Sequence, residues 1–330
     1  MERRILLKLA ASAALIIASI AGAPSLARAE DKAKIIGIDW ANYNPVSLVL
    51  KEKGFLEADL AKDGIKVRWV QSLGSNKALE FLNARGIDFG STAGSAALLA
   101  KANGSPIKSI YVYSKPEWTA LVTNANSPIK TVADLKGKRV AVTRGTDPHI
   151  FLVRALAGAG LTEKDIKPIL LQHQDGRLAL EKGDVDAWAG LDPMMAQAEV
   201  ERGGRLFFRN ADLNTYGVLN VRTAFAEANP DLVPRVLAAY EKARAWAKQN
   251  PDGLRALLAR DAKLDEKVAA LQLERTDISD PTLNAKPIDT ITAAGEALQK
   301  AAFIPAATDV KALVKDLIDP SYAQRLAATN

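Results

Sequence analysis

Residues 35–90, IIGIDWANYNPVSLVLKEKGFLEADLAKDGIKVRWVQSLGSNKALEFLNARGIDFG, switch repeatedly between two periodicities. Ile35-Ile36-Gly37-Ile38 is a short β-branched run and predicts a strand. Pro45 to Lys53 carries apolar residues at helical spacing, opens on a proline suited to the first helical turn, and is stopped by Gly54. Ile65 to Val70 predicts a second strand, Asn76 to Ala84 a second helix, and Ile87 to Gly90 a third strand. Strand, helix, strand, helix in this order requires an α/β layer fold with a mostly parallel sheet, because parallel neighbours need a crossover between them.

Working outward, Ala96–Ala102 reads as a helix and Ile107–Tyr113 as a strand. The pattern then restarts. Strands are expected at Trp118–Thr123, Lys138–Val142, Ile166–Leu171, Val185–Ala189 and Tyr216–Val221, with helices at Pro148–Ala159, Arg177–Glu181 and Pro193–Arg202. After Pro230 the chain turns helical, around Leu232–Lys248, Gly253–Ala259, Glu266–Leu273 and Ile291–Ala301. A faint echo links the halves: Gly86-Ile87-Asp88-Phe89 and Gly183-Asp184-Val185-Asp186 each lead a helix into a strand. The same spacing also suits a generic helix-to-strand turn.

Composition narrows the function classes. Charged residues make up 25% and hydrophobic residues 48% of the 330, as in folded globular chains. The absence of cysteine excludes disulfides, thiolate metal sites and cysteine nucleophiles. Only His149 and His173 are present, so a histidine cluster for a metal is excluded, although a carboxylate site is not. The net charge is +6; half of it lies in the first 29 residues, and the remaining +3 is dispersed, which argues against a nucleic-acid partner. No cofactor is expected.

Residues 1–29, MERRILLKLAASAALIIASIAGAPSLARA, have a basic start, an apolar run from Leu9 to Ala23, a break at Pro24, and Ala27-Arg28-Ala29 before Glu30. This is the layout of a signal peptide cleaved after Ala29; the apolar run is short for a spanning helix. Arg3-Arg4 leaves the export route open. A mature chain without a lipid-anchor cysteine suits the periplasm.

Ligands of open α/β sheets bind beyond the carboxyl ends of the strands. The junctions there are Trp40 to Asn44 with Tyr43, then Gly74-Ser75, Ser91-Thr92, Gly145-Thr146-Asp147, and Gly190-Leu191-Asp192. Several place hydroxyl or amide residues beside glycine just before a helix. The N–H groups at a helix start are unpaired and attract an anion, and hydroxyls add donors. The same residues also serve as plain helix caps. Trp40, Tyr43, Trp118, Trp188 and Tyr216 lie next to these junctions and could line the apolar part of a pocket or pack as core. Trp69, in mid-strand, reads as core. Asp147, followed by Pro148, would compete with an anionic ligand for the same donors. Either it caps while pointing away, or the ligand has a cationic or donor-rich part. His149 either donates to an anion or is buried and satisfied, and His173, between two glutamines, is expected at the surface. Catalysis finds little support: there is no Gly-x-Ser-x-Gly, phosphate loop, dinucleotide fingerprint or metal-binding pair of histidines. Asp184 and Asp186 read as turn residues.

The stretch 126–161, NSPIKTVADLKGKRVAVTRGTDPHIFLVRALAGAGL, resembles the aliphatic sulfonate-binding proteins of ABC importers, as do Gly86–Thr92, Gly183–Ala189 and Asp192-Pro193. That group includes taurine binders and is related to nitrate and pyrimidine-precursor binders. The resemblance implies a periplasmic binding protein-like fold of type II, with two α/β lobes around a cleft. Lobe I would comprise 30–117 and 222–330, and lobe II 118–221. It also implies capture of a small organic anion, cleft closure, and docking of a monomer on an ABC permease in the inner membrane. Gly74-Ser75, Ser91-Thr92 and Gly145-Thr146 would hold the anionic head, with Trp188 and Asp192 nearby and Arg275 as an anion partner. Two junctions depart from the group. Gly74-Ser75-Asn76 stands where sulfonate binders often have Gly-Pro-Gln, and Thr146-Asp147-Pro148 stands where they often have serines. These departures bear on ligand identity. Taurine, nitrate or a pyrimidine-type ligand, or a sensory role, are the alternatives. The histidine and cysteine-rich motif of the enzymes of the pyrimidine branch is absent.

Overall fold

The computed structural model describes residues 33–327. The leader expected over 1–29 lies outside them. The described chain forms two α/β lobes, each around its own sheet. The first sheet holds β1 (Ile35–Trp40), β2 (Lys66–Gln71), β3 (Phe89–Ala93) and β4 (Ile107–Pro116). The second holds β5 (Leu121–Thr123), β6 (Arg139–Val142), β7 (Lys167–Leu170), β8 (Ala187–Ala189) and β9 (Arg205–Phe208). The chain then returns, and β10 (Gly217–Arg222) and β11 (Thr276–Asp277) join the first sheet.

Strand order is β11-β4-β10-β3-β1-β2 in the first sheet and β7-β6-β8-β5-β9 in the second. β1 runs parallel to β2 and β3, and β6 runs parallel to β7 and β8. The strands next to the crossings are antiparallel: β10 against β3 and β4, and β5 against β8 and β9. Since β10 pairs along its whole length within the first sheet, the return crossing ends before Gly217. The boundary expected after residue 221 therefore moves forward by about one strand.

Local chemistry explains the elements. The helix Pro45–Lys53 starts where the Asn44 side chain accepts from Ser47 N, and it ends at Gly54, whose φ of +61° is the left-handed conformation glycine tolerates best. The core of the first lobe includes Phe89 and Phe225, packed edge to face at 5.4 Å. Apolar clusters cover both faces of the second sheet. A further cluster joins the lobes: Ile150 of the helix Asp147–Gly158 meets Ala294, Leu298 and Ile304 from the C-terminal region.

Several elements differ from expectation. Ser91 and Thr92 are the interior of β3, not the turn after it. The helix expected from Arg177 begins at His173. Strand β9 and the helices Val310–Leu317 and Ser321–Ala327 were not anticipated; β9 and the last helix are too short to show a period, whereas Val310, Leu313, Val314 and Leu317 do stand at helical spacing and were passed over.

Candidate functional site

The carboxyl ends of β1 and β2 in one lobe face those of β6 and β7 in the other across a narrow gap. It is lined by Tyr43, Ser75, Trp118, Thr146, Asp147, Pro148, His173 and Leu191. Three helices begin there: Ser75–Asn83 from the first lobe, and Asp147–Gly158 and His173–Lys182 from the second. The N–H groups of a first helical turn lack intrahelical acceptors, and the helix dipole adds partial positive charge at that end. Positive potential from both lobes thus converges on one small volume.

A buried polar layer fixes the first-lobe side. Asp39, at the end of β1, accepts from both the backbone N–H and the hydroxyl of Ser91 at 2.8 and 2.9 Å. Asn44 Nδ2 donates to Ser91 Oγ at 2.8 Å, and Tyr43 donates its hydroxyl to Ser91 O at 2.9 Å. Ser75 Oγ accepts from Ala93 N. Ser91 is therefore the hub that holds the turn carrying Tyr43 against β3. Burial raises the Asp39 carboxyl to about 6, against the opposing pull of the Ser91 and Ser72 hydrogen bonds.

On the other side, Asp147 is 1% exposed and its carboxylate is fully engaged. Oδ1 accepts from the hydroxyls of Ser95 and Thr215; Oδ2 accepts from Trp118 Nε1 at 2.8 Å and Thr215 N at 3.0 Å. Ser95 belongs to the first lobe, Trp118 and Thr215 to the two crossings. The carboxylate so takes up donors that an anion could have used. Burial still pushes its pKa upward, and the hydrogen bonds from Ser95, Trp118 and Thr215 oppose that shift. Asp147 makes no capping hydrogen bond to its own helix; donors from Ser95, Trp118 and Thr215 hold it instead.

Arg275 sits at the junction of the lobes. Nη2 lies 2.5 Å from Glu199 Oε2, and Nη1 lies 3.6 Å from Asp192 Oδ2. Asp192 is buried and accepts from Ala196 N through Oδ1, as a helix-start residue does. Burial raises its carboxyl to about 7 despite the neighbouring guanidinium. The role expected for Arg275, holding a ligand anion, is corrected: its charge is spent on two carboxylates of this chain.

Other expected site residues fall outside the gap. Trp188 is fully buried in the second lobe, with its ring against Gly176; a Cβ on Gly176 would stand 2.7 Å from Trp188 Nε1. It is a core residue and lines no ligand tail. Ser91, Thr92 and Asn44 form the support beneath the site; Asn220 Nδ2 donates to Thr92 Oγ1 at 2.8 Å. Trp40 lies under Lys51, whose Nζ is 4.5 Å from its ring centre. Tyr216 packs with the first-lobe core, its carbonyl accepting from Gly94 N. His149 is buried and satisfied: Nε2 is 2.9 Å from Glu163 Oε1 and its ring meets Phe303 edge-on at 5.1 Å. Gly145 turns the chain ahead of Thr146 with φ +76°.

His173 is the reverse case. Expected at the surface, it is 1% exposed and lines the gap. Ser95 and Thr215 were missed as well. Neither signals itself locally; only the fold brings them within reach of Asp147.

The gap holds about 10 Å³, room for roughly one water. A solute of several heavy atoms must enter while the lobes stand apart. Gly74 marks where they meet. A Cβ there would be 2.9 Å from His173 Nε2 and 2.8 Å from Asn76 Oδ1, while φ of 163° is open to any residue. Gly74→Ala is therefore expected to hinder closure alone. Overpacking of this kind costs about 1–3 kcal/mol. Solute binding by calorimetry should weaken by about tenfold with little change in melting temperature; an unchanged affinity would show that the two turns do not meet in the bound form.

Among the described residues, no cluster of histidines and carboxylates could hold a metal, and no helix is long and apolar enough to cross a membrane.

Comparison with known proteins follows the same outline. The family model described as NMT1/THI5 like matches residues 45–254. An aliphatic sulfonates-binding protein of Escherichia coli (strain K12) is 33% identical over 293 residues, covering 88% of each chain. The alkanesulfonate-binding protein SsuA from Xanthomonas axonopodis pv. citri, solved bound to MOPS, superposes with a TM-score of 0.79 at 26% identity, over 88% of this chain and 99% of that one. The periplasmic aliphatic sulphonate binding protein SsuA from Escherichia coli gives 0.71 at 31% identity, over 84% and 91%.

Proposed function

The chain belongs to the NMT1/THI5-like family, and on that premise we propose that it is the solute-binding component of an ABC importer for aliphatic sulfonates or sulfate esters, working in the periplasm after export. The observation that carries this reading is the convergence of three helix starts, from two lobes, on one gap flanked by Tyr43 and Trp118. Mobile counter-ions are not needed to balance a small anion there, because backbone N–H groups supply the charge complement. The relatives named as sulfonate binders support the ligand class.

The mechanism is capture without chemistry. The solute enters between separated lobes and its anionic head meets the helix starts at Ser75 and Thr146, beside that at His173. The lobes close, which removes water and strengthens each polar contact. Tyr43 and Trp118, edge to face at 6.0 Å, provide the apolar wall. The closed form then docks on the permease. No nucleophile or general base is required.

A thermal-shift screen of the mature protein tests this. Stabilisation follows occupancy and reaches about 2.7 kcal/mol at a hundredfold excess over Kd, a rise of several degrees. Alkanesulfonates or sulfate esters should raise the melting temperature, whereas nitrate and pyrimidines should not. A shift with pyrimidines alone overturns the ligand class, and product formation overturns the binding role.

A further inference from the structure

Nε2 of His173 has no hydrogen-bond partner among the described residues, although it is buried and borders the gap. It stands at the first residue of a ten-residue helix and faces Gly74 of the other lobe. Its neighbour decides what it can do. Nδ1 lies 3.2 Å from Thr143 Oγ1. The Thr143 hydroxyl donates to Leu171 O at 2.7 Å. A hydroxyl has a single hydrogen, and here it is used. The oxygen of Thr143 must therefore accept, so the hydrogen of the neutral ring is on Nδ1. Nε2 then presents a bare lone pair to the gap.

The surroundings keep the ring neutral. Burial alone draws the His173 pKa down to about 3. Among the described residues, Asp147 is the one charged side chain lining the gap, and both its oxygens are turned to Ser95, Trp118 and Thr215. The hydroxyl of Tyr43 is turned to Ser91. The positive end of the helix that His173 begins also disfavours an imidazolium. A lone pair so placed repels a sulfonate oxygen and attracts an N–H or O–H.

We infer that His173 selects, among small sulfonates, those with a hydrogen-bond donor close to the anionic head: hydroxy- or aminoalkanesulfonates, with the donor on Nε2 and the head at the helix starts of Ser75 and Thr146. This rests on the sulfonate reading above. His173 is then a specificity residue, and Asp147, beside it, reinforces the choice when the donor is an ammonium.

Calorimetry on the mature protein tests it, with ethanesulfonate, 2-hydroxyethanesulfonate and 2-aminoethanesulfonate as probes. The donor-bearing pair should bind the native protein at least about tenfold more tightly than ethanesulfonate. His173→Leu should bring the three affinities together, and His173→Gln, which keeps an acceptor, should retain much of the preference. Titrations in buffers of different ionisation enthalpy should show no proton uptake; this readout stands even if both variants fail to fold. Equal binding of ethanesulfonate by the native protein, a preference that survives His173→Leu, or uptake of a proton on binding would each overturn the inference. Binding of no sulfonate at all would overturn the sulfonate reading itself, and this selection with it.

Discussion

Asp147→Ala is expected to tighten binding of a simple alkanesulfonate by on the order of a hundredfold. The native carboxylate is a negative group inside a site that receives a negative head. Two like charges about 4 Å apart repel by roughly 4 kcal/mol at an effective dielectric constant of 20. The raised pKa of Asp147 and its four hydrogen bonds blunt part of this, leaving about 2–3 kcal/mol. The substitution also releases the hydroxyls of Ser95 and Thr215, the Trp118 ring N–H and the Thr215 backbone N–H. Those donors are costly to leave unpaired, so millimolar methanesulfonate should raise the melting temperature of the variant far more than that of the native protein. Titration calorimetry and melting curves decide it. An affinity that falls in the variant would mean that Asp147 holds the solute rather than opposing it.

Arg275→Ala should produce the largest loss of stability. It leaves Asp192, 1% exposed, and Glu199 without their shared cation at the meeting of the lobes. Breaking a buried pair from one side costs about 3–5 kcal/mol, a fall in melting temperature of roughly 10 °C. The pH dependence has a definite sign. The Asp192 pKa is raised in the fold to about 7, above the ordinary carboxylate value, so its burial is best tolerated at low pH, and stability declines as the pH climbs through 7. Without Arg275 the raised value moves higher still. The variant should therefore recover part of its loss when the pH is lowered from 8 to 5.5. Adding Asp192→Asn should restore most of the rest. A variant that melts like the native protein at pH 8 would show that the Arg275 cluster contributes nothing to holding the lobes.

The parts of this arrangement visible in the sequence were those set by neighbouring residues. Asn44-Pro45 and Gly54 delimit a helix because a cap, a fixed φ and a left-handed stop are local properties. The alternation of strands and helices required two α/β units for the same reason. Residues whose roles depend on distant partners were read less well. Ser91 and Thr92 look like a turn, yet Asp39, Asn44 and Asn220 satisfy their hydroxyls inside a fully buried strand. Trp188 looks like a pocket wall, yet Gly176 leaves space that draws its ring into the core. Flanking glutamines make His173 look exposed, but Thr143 and Gly74, 30 and 99 positions away along the chain, enclose it. Arg275 has the charge of an anion partner, but its acids lie far back in the sequence. The convergence of helix starts was legible; the assignment of each side chain to ligand, latch or core was not.

The dimensions of the gap bear on kinetics. With space for little more than a water between the lobes, a captured molecule of several heavy atoms leaves when the two halves part. Parting them breaks the contacts of Arg275 with Asp192 and Glu199, the Ser95 hydrogen bond to Asp147 and the apolar cluster at Ile150. Of these, only Asp147 borders the cargo. Residence time therefore acquires a component common to every cargo, fixed by the chain itself, while differences among cargoes arise from how well each fits the helix starts.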